Sequence, residues 1–415
     1  MANRIPFSRH LLANGLRVIV HEDPTTPLVS CNIVYHVGSI NENPEMTGMA
    51  HLMEHYMFCG SKNIANFDAH LQKVGAINNA YTTQDFTHYY ITLPAQNLET
   101  ALWLESDRML ELAFQQQQLD IQKQVVMEEF KENFLNCPYG DLWMIFNNLV
   151  YEKHPYKWLP IGKELSHIEK VTMDDIKKFF YTWYRPNNAV IAISGNIKAE
   201  ETFALVEKWF GDIPASAPAI RQYAQESEQL SPKKMEVERP VPSDMLLIGW
   251  KMCSRLHPDY YAYDLLSDLL GSGQSSLLYN ELITKRHIFT DISAYISETF
   301  DPGLFIVGGR PAEGISLDDA NQALTELVYH LDIQANIEEN LLKVKNRVRS
   351  ILLRGEIKIE DRSAGLAVAE TLRAAEDFEN EINQYQNVTG EQLQQCATSL
   401  FRKDGANTLF YRMGE

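Results

Sequence analysis

Two β-branched runs, Leu16–His21 and Leu28–Val37, read as strands, with Asp23-Pro24 and Pro27 marking the turn between them. Helices are predicted over about Gly48–Phe58 and Asn66–Lys73. Ile77–Leu93 alternates and is rich in aromatics (Tyr81, Phe86, Tyr89, Tyr90), so with Gln84-Asp85 at a bend it reads as a pair of strands. Helical periodicity then covers Leu98–Ala113, Leu119–Phe134 and Met173–Trp183. Gln115–Gln118 reads as a solvated connection, and Arg185-Pro186-Asn187 stops the last helix before a short apolar strand at Ala189–Gly195.

From Ile213 to Pro242 the character changes: Pro214, Pro218, Pro232, Pro240 and Pro242 are interspersed with Ser, Gln and charge, the composition of a linker. Beyond it the order restarts. Met245–Met252 reads as a strand, Asp259–Leu270 and Ser275–Thr284 as helices, Ile288–Ile296 and Leu304–Val307 as strands, and most of Leu317–Phe401 as helices. Strand–helix–strand followed by helices on both sides of the linker predicts an internal duplication of an α+β unit. The expected boundaries are an N-terminal domain over 1–215, a linker over 216–242 and a C-terminal domain over 243–415.

Composition narrows the function classes. A chain of 415 residues suits two domains of about 200 residues each. Lys and Arg number 37 against 55 Asp and Glu, a formal net charge of −18, so there is no basic footprint for a phosphate backbone and no nucleic-acid partner is expected. The acidic balance suits basic peptides, although most acidic surfaces serve only solubility. No apolar run is long enough for a membrane span. Met1–Asp23 carries Arg4, Arg9 and His10 but lacks the apolar stretch of a secretory signal, so a cytoplasmic location is expected. Five scattered cysteines (Cys31, Cys59, Cys137, Cys253, Cys396) read as reduced thiols rather than a disulfide framework.

The strongest chemical signal is His51-Leu52-Met53-Glu54-His55. Four residues apart on a helix, His51 and His55 share one face and can reach one metal ion. Glu54 leans toward the same face and suits a base acting on water rather than a ligand. The pattern is the inverted form of the H-E-x-x-H zinc motif. A catalytic zinc takes three protein ligands and one open position, so a third ligand must come from elsewhere. Val125–Glu132 on the later helix offers Glu128, Glu129 and Glu132, and spacing alone does not choose among them.

With these features the sequence resembles the pitrilysin/insulinase family of zinc peptidases, in its half-length branch that includes mitochondrial processing peptidase and bacterial relatives. Gly48–Ser61 is similar to the family's G-x-x-H-x-x-E-H-x-x-F-x-G-[ST] block. Gly75–Thr83 with Thr87–Tyr90, Gln122–Glu129, His154-Pro155-Tyr156, Ile161-Gly162, Tyr184–Asn188 and Gly273–Tyr279 resemble further blocks in the same order. The resemblance implies two homologous α+β domains, each a mixed or antiparallel sheet packed with helices on one side, forming half of a clam-shell. It implies one Zn²⁺ per chain on His51, His55 and Glu129, with Glu54 as general base. The family's acidic residue seven positions before the third ligand is replaced by Gln122, which can still hydrogen-bond a ligand imidazole but carries no charge. Asn79 and Ala80 would sit on an edge strand that pairs with an extended peptide substrate, and Phe58 would line the pocket beside the scissile bond.

Active family sites also hold an arginine and a tyrosine seven residues apart that bind the substrate main chain and the oxyanion. The corresponding positions here are Ile283 and Thr290, and Arg286 does not restore the spacing. The resemblance therefore implies a chamber built from two chains, this one supplying zinc and a homologous partner supplying the Arg/Tyr pair, with a homodimer as the alternative. Two other readings compete: a non-catalytic scaffold subunit, and a structural zinc closed by a fourth ligand such as Cys59.

Overall fold

The computed structural model describes residues 5–217, 223–333 and 336–414. In chain order its strands are β1 (Ser8–Leu11), β2 (Arg17–Glu22), β3 (Leu28–Tyr35), β4 (Ile77–Thr82), β5 (Thr87–Pro94), β6 (Ala189–Gly195), β7 (Lys233–Arg239), β8 (Met245–Lys251), β9 (Phe289–Ile296), β10 (Leu304–Pro311) and β11 (Asn407–Met413). The α-helices are α1 (Met49–Tyr56), α2 (Phe67–Lys73), α3 (Leu98–Leu110), α4 (Gln116–Phe130), α5 (Leu142–Val150), α6 (Leu165–Glu169), α7 (Met173–Trp183), α8 (Ala199–Phe210), α9 (Tyr260–Gly271), α10 (Leu317–Tyr329), α11 (Ile337–Gly355), α12 (Ile359–Leu372), α13 (Glu376–Asn387) and α14 (Gly390–Leu400).

Each half of the chain builds one sheet. The first has the order β1-β2-β6-β3-β5-β4 and the second β7-β11-β8-β10-β9. Pairing direction repeats as well as order. The parallel pair β2–β6 matches the parallel pair β7–β11, and every later neighbour in both sheets is antiparallel. The expected duplication is therefore visible as topology, with β1 as an extra edge strand of the first sheet. β4 and β9 end their sheets at equivalent places, so each sheet keeps an unpaired edge.

The domain boundaries differ from the expectation. One compact unit comprises 1–132, 158–224 and 353–380, the other 133–157, 225–352 and 381–415. Lys233–Arg239, expected to be linker, is strand β7 and pairs with β11 in register Lys233↔Asn407 to Arg239↔Met413. Its β-branched content is low, so local propensity gave no sign of it; the ladder forms because β11 presents a free side. Residues 218–222 of the expected linker, with Pro218, lie outside the described residues.

Each unit also contains a helix from the other half of the sequence. α12 lies on β3 and β6 of the first sheet. The sheet positions on that face are small or polar: Ser30, Asn32, Ala192 and Ser194. The Ser363 hydroxyl donates to the Ser30 carbonyl at 3.2 Å, and Arg362 clamps the helix by donating to Asp23 at 2.6 Å and His21 at 3.0 Å. In the second unit α5 contacts β7 and β11 and lays Phe146 against Gly249, where even a Cβ would come within 2.7 Å of the ring. The opposite face of the second sheet carries an apolar core of Leu246, Ile248 and Trp250 with α9, α10, α11 and α14. Each sheet thus has its main helical layer on one face and one exchanged helix on the other.

Most expected elements match to within a few residues. Gln116–Gln118 is the first turn of α4 rather than a connection, and Tyr279–Lys285 is π-helical. Among the described residues no helix is long and apolar enough to cross a membrane.

Candidate metal centre

Helix α1 begins at Gly48, whose φ of 87° is left-handed; a Cβ there would meet Ile168 Cδ1 at 2.5 Å and the Ile161 carbonyl oxygen at 2.7 Å. With no side chain at this N-cap, the cap comes from Glu42. Its carboxyl accepts from Gly48 N–H at 3.0 Å and Ala50 N–H at 2.8 Å, and the Trp158 indole donates to it at 3.0 Å. Burial pushes the Glu42 carboxyl up to about 8 against these donors, which favour its charged form. Sequence reading missed Glu42; the signal available was an acid six residues before a glycine that opens a helix.

From this fixed start α1 turns His51 and His55 to one face, their rings 4.8 Å apart and close to perpendicular. Helix α4 packs against α1 and brings up Glu129. Its Oε2 lies 3.9 Å from His51 Nε2 and 3.5 Å from His55 Nε2. Among the described residues this is the one group of three or more His, Cys, Asp or Glu side chains that converges on a point, one ligand atom from each lying within 4.8 Å of the others. The alternatives fall away: Glu128 pairs with Lys131 at 2.7 Å, and neither it nor Glu132 joins the group.

The donor set fits zinc. Metal–ligand bonds near 2.0–2.1 Å in a tetrahedron put neighbouring ligand atoms about 3.3 Å apart, close to the separations seen here. Burial together with His55 pushes His51 down to about 4, the neutral form a metal needs, and His51 Nδ1 is buried without a hydrogen-bond partner. Burial would lower His55 too, but Glu129 and Glu54 outweigh it and raise it. The hydrogen bond with His55, opposed by burial, holds Glu129 below the usual carboxylate range. Two imidazoles and one carboxylate that together attract positive charge suit a divalent cation.

Around this set the sequence expectations meet mixed outcomes. Gln122 hydrogen-bonds His55 from the same face of α4 and also reaches the Cys59 thiol. Cys59 does not join the convergent group; its sulfur contacts the His55 carbonyl at 3.7 Å, and burial pushes the thiol up to about 11. A closed four-ligand site through Cys59 is therefore not supported. Glu54 is buried beside the histidines and burial raises its carboxyl, while the Thr82 hydroxyl donates to Oε2 at 2.5 Å and works the other way. Thr82 was part of a quoted sequence block without an assigned role; two residues along a strand from Ala80, it belongs to the same face.

Asn79 and Ala80 lie on the edge strand β4, Asn79 exposed and its side chain bonded to the Ala80 N–H at 2.8 Å. Phe58 is half-buried, edge-on to Phe67 at 5.9 Å and over Arg108 at 5.3 Å, and it also lines an open pocket with Asn78 and Asn79. In the second unit Ile283 packs against the apolar core, and the exposed Thr290 hydroxyl donates to the Arg310 carbonyl at 3.2 Å. Neither position carries a cation or a phenol.

Comparison with known proteins agrees with this picture. Residues 17–138 match the insulinase family (peptidase family M16), and residues 170–346 match the peptidase M16 inactive domain. The chain is similar to zinc protease PqqE of Helicobacter pylori, 30% identical over 412 residues, covering 97% of this chain and 91% of the relative. It is similar to a probable mitochondrial-processing peptidase subunit beta of Arabidopsis thaliana, 23% identical, covering 82% of this chain and 66% of that one. The crystal structure of a protease from Helicobacter pylori superposes with a TM-score of 0.91 at 27% identity, covering 98% and 99% of the two chains.

Proposed function

Because the chain belongs to the insulinase family of peptidases (peptidase family M16), we propose that it is a zinc-dependent endopeptidase subunit acting on unfolded peptides. The observation that carries the reading is the convergence of His51, His55 and Glu129 beside the buried carboxyl of Glu54.

Two imidazoles, from His51 and His55, and the Glu129 carboxylate would hold one Zn²⁺. Bound there, the ion would supply Lewis-acid polarisation of the scissile carbonyl and of an attacking water. Glu54 takes the proton from that water and later returns it to the leaving amine. Burial raises its carboxyl, which strengthens it as a proton acceptor. Thr82 holds Oε2 by its 2.5 Å hydrogen bond and so orients the base. The free edge of β4, at Asn79 and Ala80, binds the substrate as an added strand. Main-chain pairing of this kind needs an extended peptide and reads little sequence.

The chain supplies this zinc half but no arginine–tyrosine pair at Ile283 and Thr290. The complete site is therefore a heterodimer with a homologous chain that carries the pair. A subunit designation in the processing-peptidase relative supports paired operation.

The test is cleavage of a quenched unstructured peptide with zinc quantified, for the chain alone and with a homologous Arg/Tyr-bearing chain. Activity that appears only when the partner is added to this chain, and that falls about 10²–10⁴-fold in Glu54→Gln while zinc is retained, is the expected result. Full activity of the single chain overturns the heterodimer. Zinc binding without activity under either condition overturns the peptidase reading in favour of a scaffold.

A further inference from the structure

Helix α11 turns one face to the core of the second unit and leaves the other exposed. Between Asn340 and Leu352 the chain places Lys343, Lys345, Arg347 and Arg349 and no acid, in a protein whose formal net charge is −18. Leu341, Val344 and Val348 belong to the apolar core. Round the other side, the helical period lines up Leu342, Asn346 and Arg349, and beside them Lys343, Arg347 and Ile351. Leu342 is 58% exposed and Ile351 52%. The face therefore runs for about 14 Å, with cations at its centre and an aliphatic side chain at each end.

The fold does not use up these cations. Among the described residues Lys343 donates to neutral groups, the Ser275 carbonyl at 3.0 Å and its hydroxyl at 3.3 Å, so its charge is held in place but not balanced. Arg347 meets Asp268 at 3.8 Å, a long pair, and is about half exposed. Arg349 is exposed. Lys345 differs: it turns to the carbonyls of Gln386 and Val388, at 2.8 and 2.6 Å. A charged helix face is ordinarily left to solvent, and a single exposed leucine is ordinary too. Here aliphatic ends frame a block of three cations, and an acidic amphipathic helix laid along α11 satisfies both features at once. Two-fold pairing of the face with itself would set cations against cations. A phosphate backbone has no use for Leu342 or Ile351. An anionic bilayer would repel the rest of a chain of this net charge.

We propose that the exposed face of α11 is a docking surface for an acidic amphipathic helix of a partner polypeptide, Leu342 and Ile351 taking its apolar residues and Lys343, Arg347 and Arg349 its carboxylates. The proposal is independent of the peptidase reading and stands if that reading fails.

The experiment uses the full chain and reads Kd by fluorescence anisotropy for a labelled two-heptad peptide repeating Leu-Glu-Glu-Leu-Leu-Glu-Glu, against the same peptide with Lys in place of Glu. The Glu peptide is expected to bind and the Lys peptide not. Its affinity should fall about tenfold or more between about 0.1 and 1 M salt, as the screening length drops from about 10 to 3 Å. Arg349→Glu should weaken binding about five- to tenfold and Leu342→Ser about tenfold. Both variants should keep the wild-type urea midpoint, because both side chains are exposed. Lys178→Glu, the same charge change on the exposed side of α7, should leave Kd unchanged. Equal binding of the two peptides, binding of neither, or equal weakening by Arg349→Glu and Lys178→Glu overturns the proposal. Self-association or binding to phosphatidylglycerol vesicles that Arg349→Glu abolishes, with the Glu peptide unbound, also overturns it: the first assigns the face to a second copy, the second to a membrane.

Discussion

Helices α1 and α9 hold the same place in the two duplicated units, each following a central antiparallel strand and preceding the helical segment that leads to an edge strand. Helices α4 and α11 correspond likewise. In the first unit α1 and α4 bring together two histidines and a glutamate. In the second, α9 and α11 face each other through Asp268 and Arg347, 3.8 Å apart. The same scaffold thus holds a convergent donor set in one copy and an opposite-charge pair in the other. A charge pair satisfies itself; two imidazoles with a carboxylate leave ligand capacity unused. The lesson is that the fold provides two helices at a useful separation, and two or three side chains decide whether the separation is chemical or structural.

The largest effect should come from breaking the first of these contacts. His55→Ala removes a ligand and leaves two, so zinc content should fall below about a tenth of an equivalent per chain, by metal analysis after dialysis. Peptidase activity should fall with it to the level of Glu54→Gln. The matching change in the second unit, Asp268→Asn, should leave zinc at one equivalent. Because Arg347 is about half exposed and the pair is long, it should cost no more than about 1 kcal/mol in urea denaturation. Equal zinc loss from both changes would erase the distinction between the copies.

A smaller effect should come from loosening the support of α1. Glu42→Ala strips the acceptor from the buried Gly48 and Ala50 N–H groups, while the Trp158 indole keeps the Ser39 carbonyl at 3.1 Å. Orphaned buried donors cost about 1–3 kcal/mol each before relaxation, so a net loss of about 2–4 kcal/mol is expected. Since α1 carries both histidines, zinc affinity should weaken as well, measured by competition with a chelating dye. Loss of stability with unchanged zinc affinity would show that α1 is positioned by its packing and not by its cap.

The contrast between Glu42 and the histidines also marks what was legible in the sequence. His51 and His55 were readable because helical spacing alone puts them on one face. Glu129 was not separable from Glu128 and Glu132 by spacing, because all three suit a helix surface; the choice required knowing which face of α4 meets α1. The strands β2, β3 and β6 announce themselves by runs of apolar, largely β-branched residues, and β5 by its alternation and aromatics. β7 does not, because Lys233–Arg239 is mostly charged and is strand only through its partner. The exchanged helices were invisible as domain members: α5 falls where no helix is expected from the sequence, and the periodicity behind α12 says that a face is buried, never against which sheet.

The two units also differ in how they use a buried acid, and this gives the finest test. Glu54 on α1 and Asp264 on α9 are both raised by burial, and each receives one hydroxyl at 2.5 Å, from Thr82 and Tyr385 respectively. Glu54 stands beside a metal set; Asp264 stands in the second unit, where the described residues hold no convergent ligands. If Asp264 is only structural, its ionisation is a burden on folding without a chemical return. Burial pushes it up to about 6 from an ordinary value of 3.8, so between about pH 4 and 6 the folded chain binds more protons than the unfolded one. Stability from this group is therefore fully present below about pH 4 and is lost as pH rises through 6, by about 2–3 kcal/mol. Asp264→Asn keeps an acceptor for Tyr385 and never ionises. It should exceed wild type in stability by about 2 kcal/mol at pH 8, with the difference vanishing near pH 4, in denaturant titrations at each pH. A constant difference across that range would mean that Asp264 is held ionised by Arg255 throughout, and the second unit would then contain a charge network as deliberate as the donor set of the first.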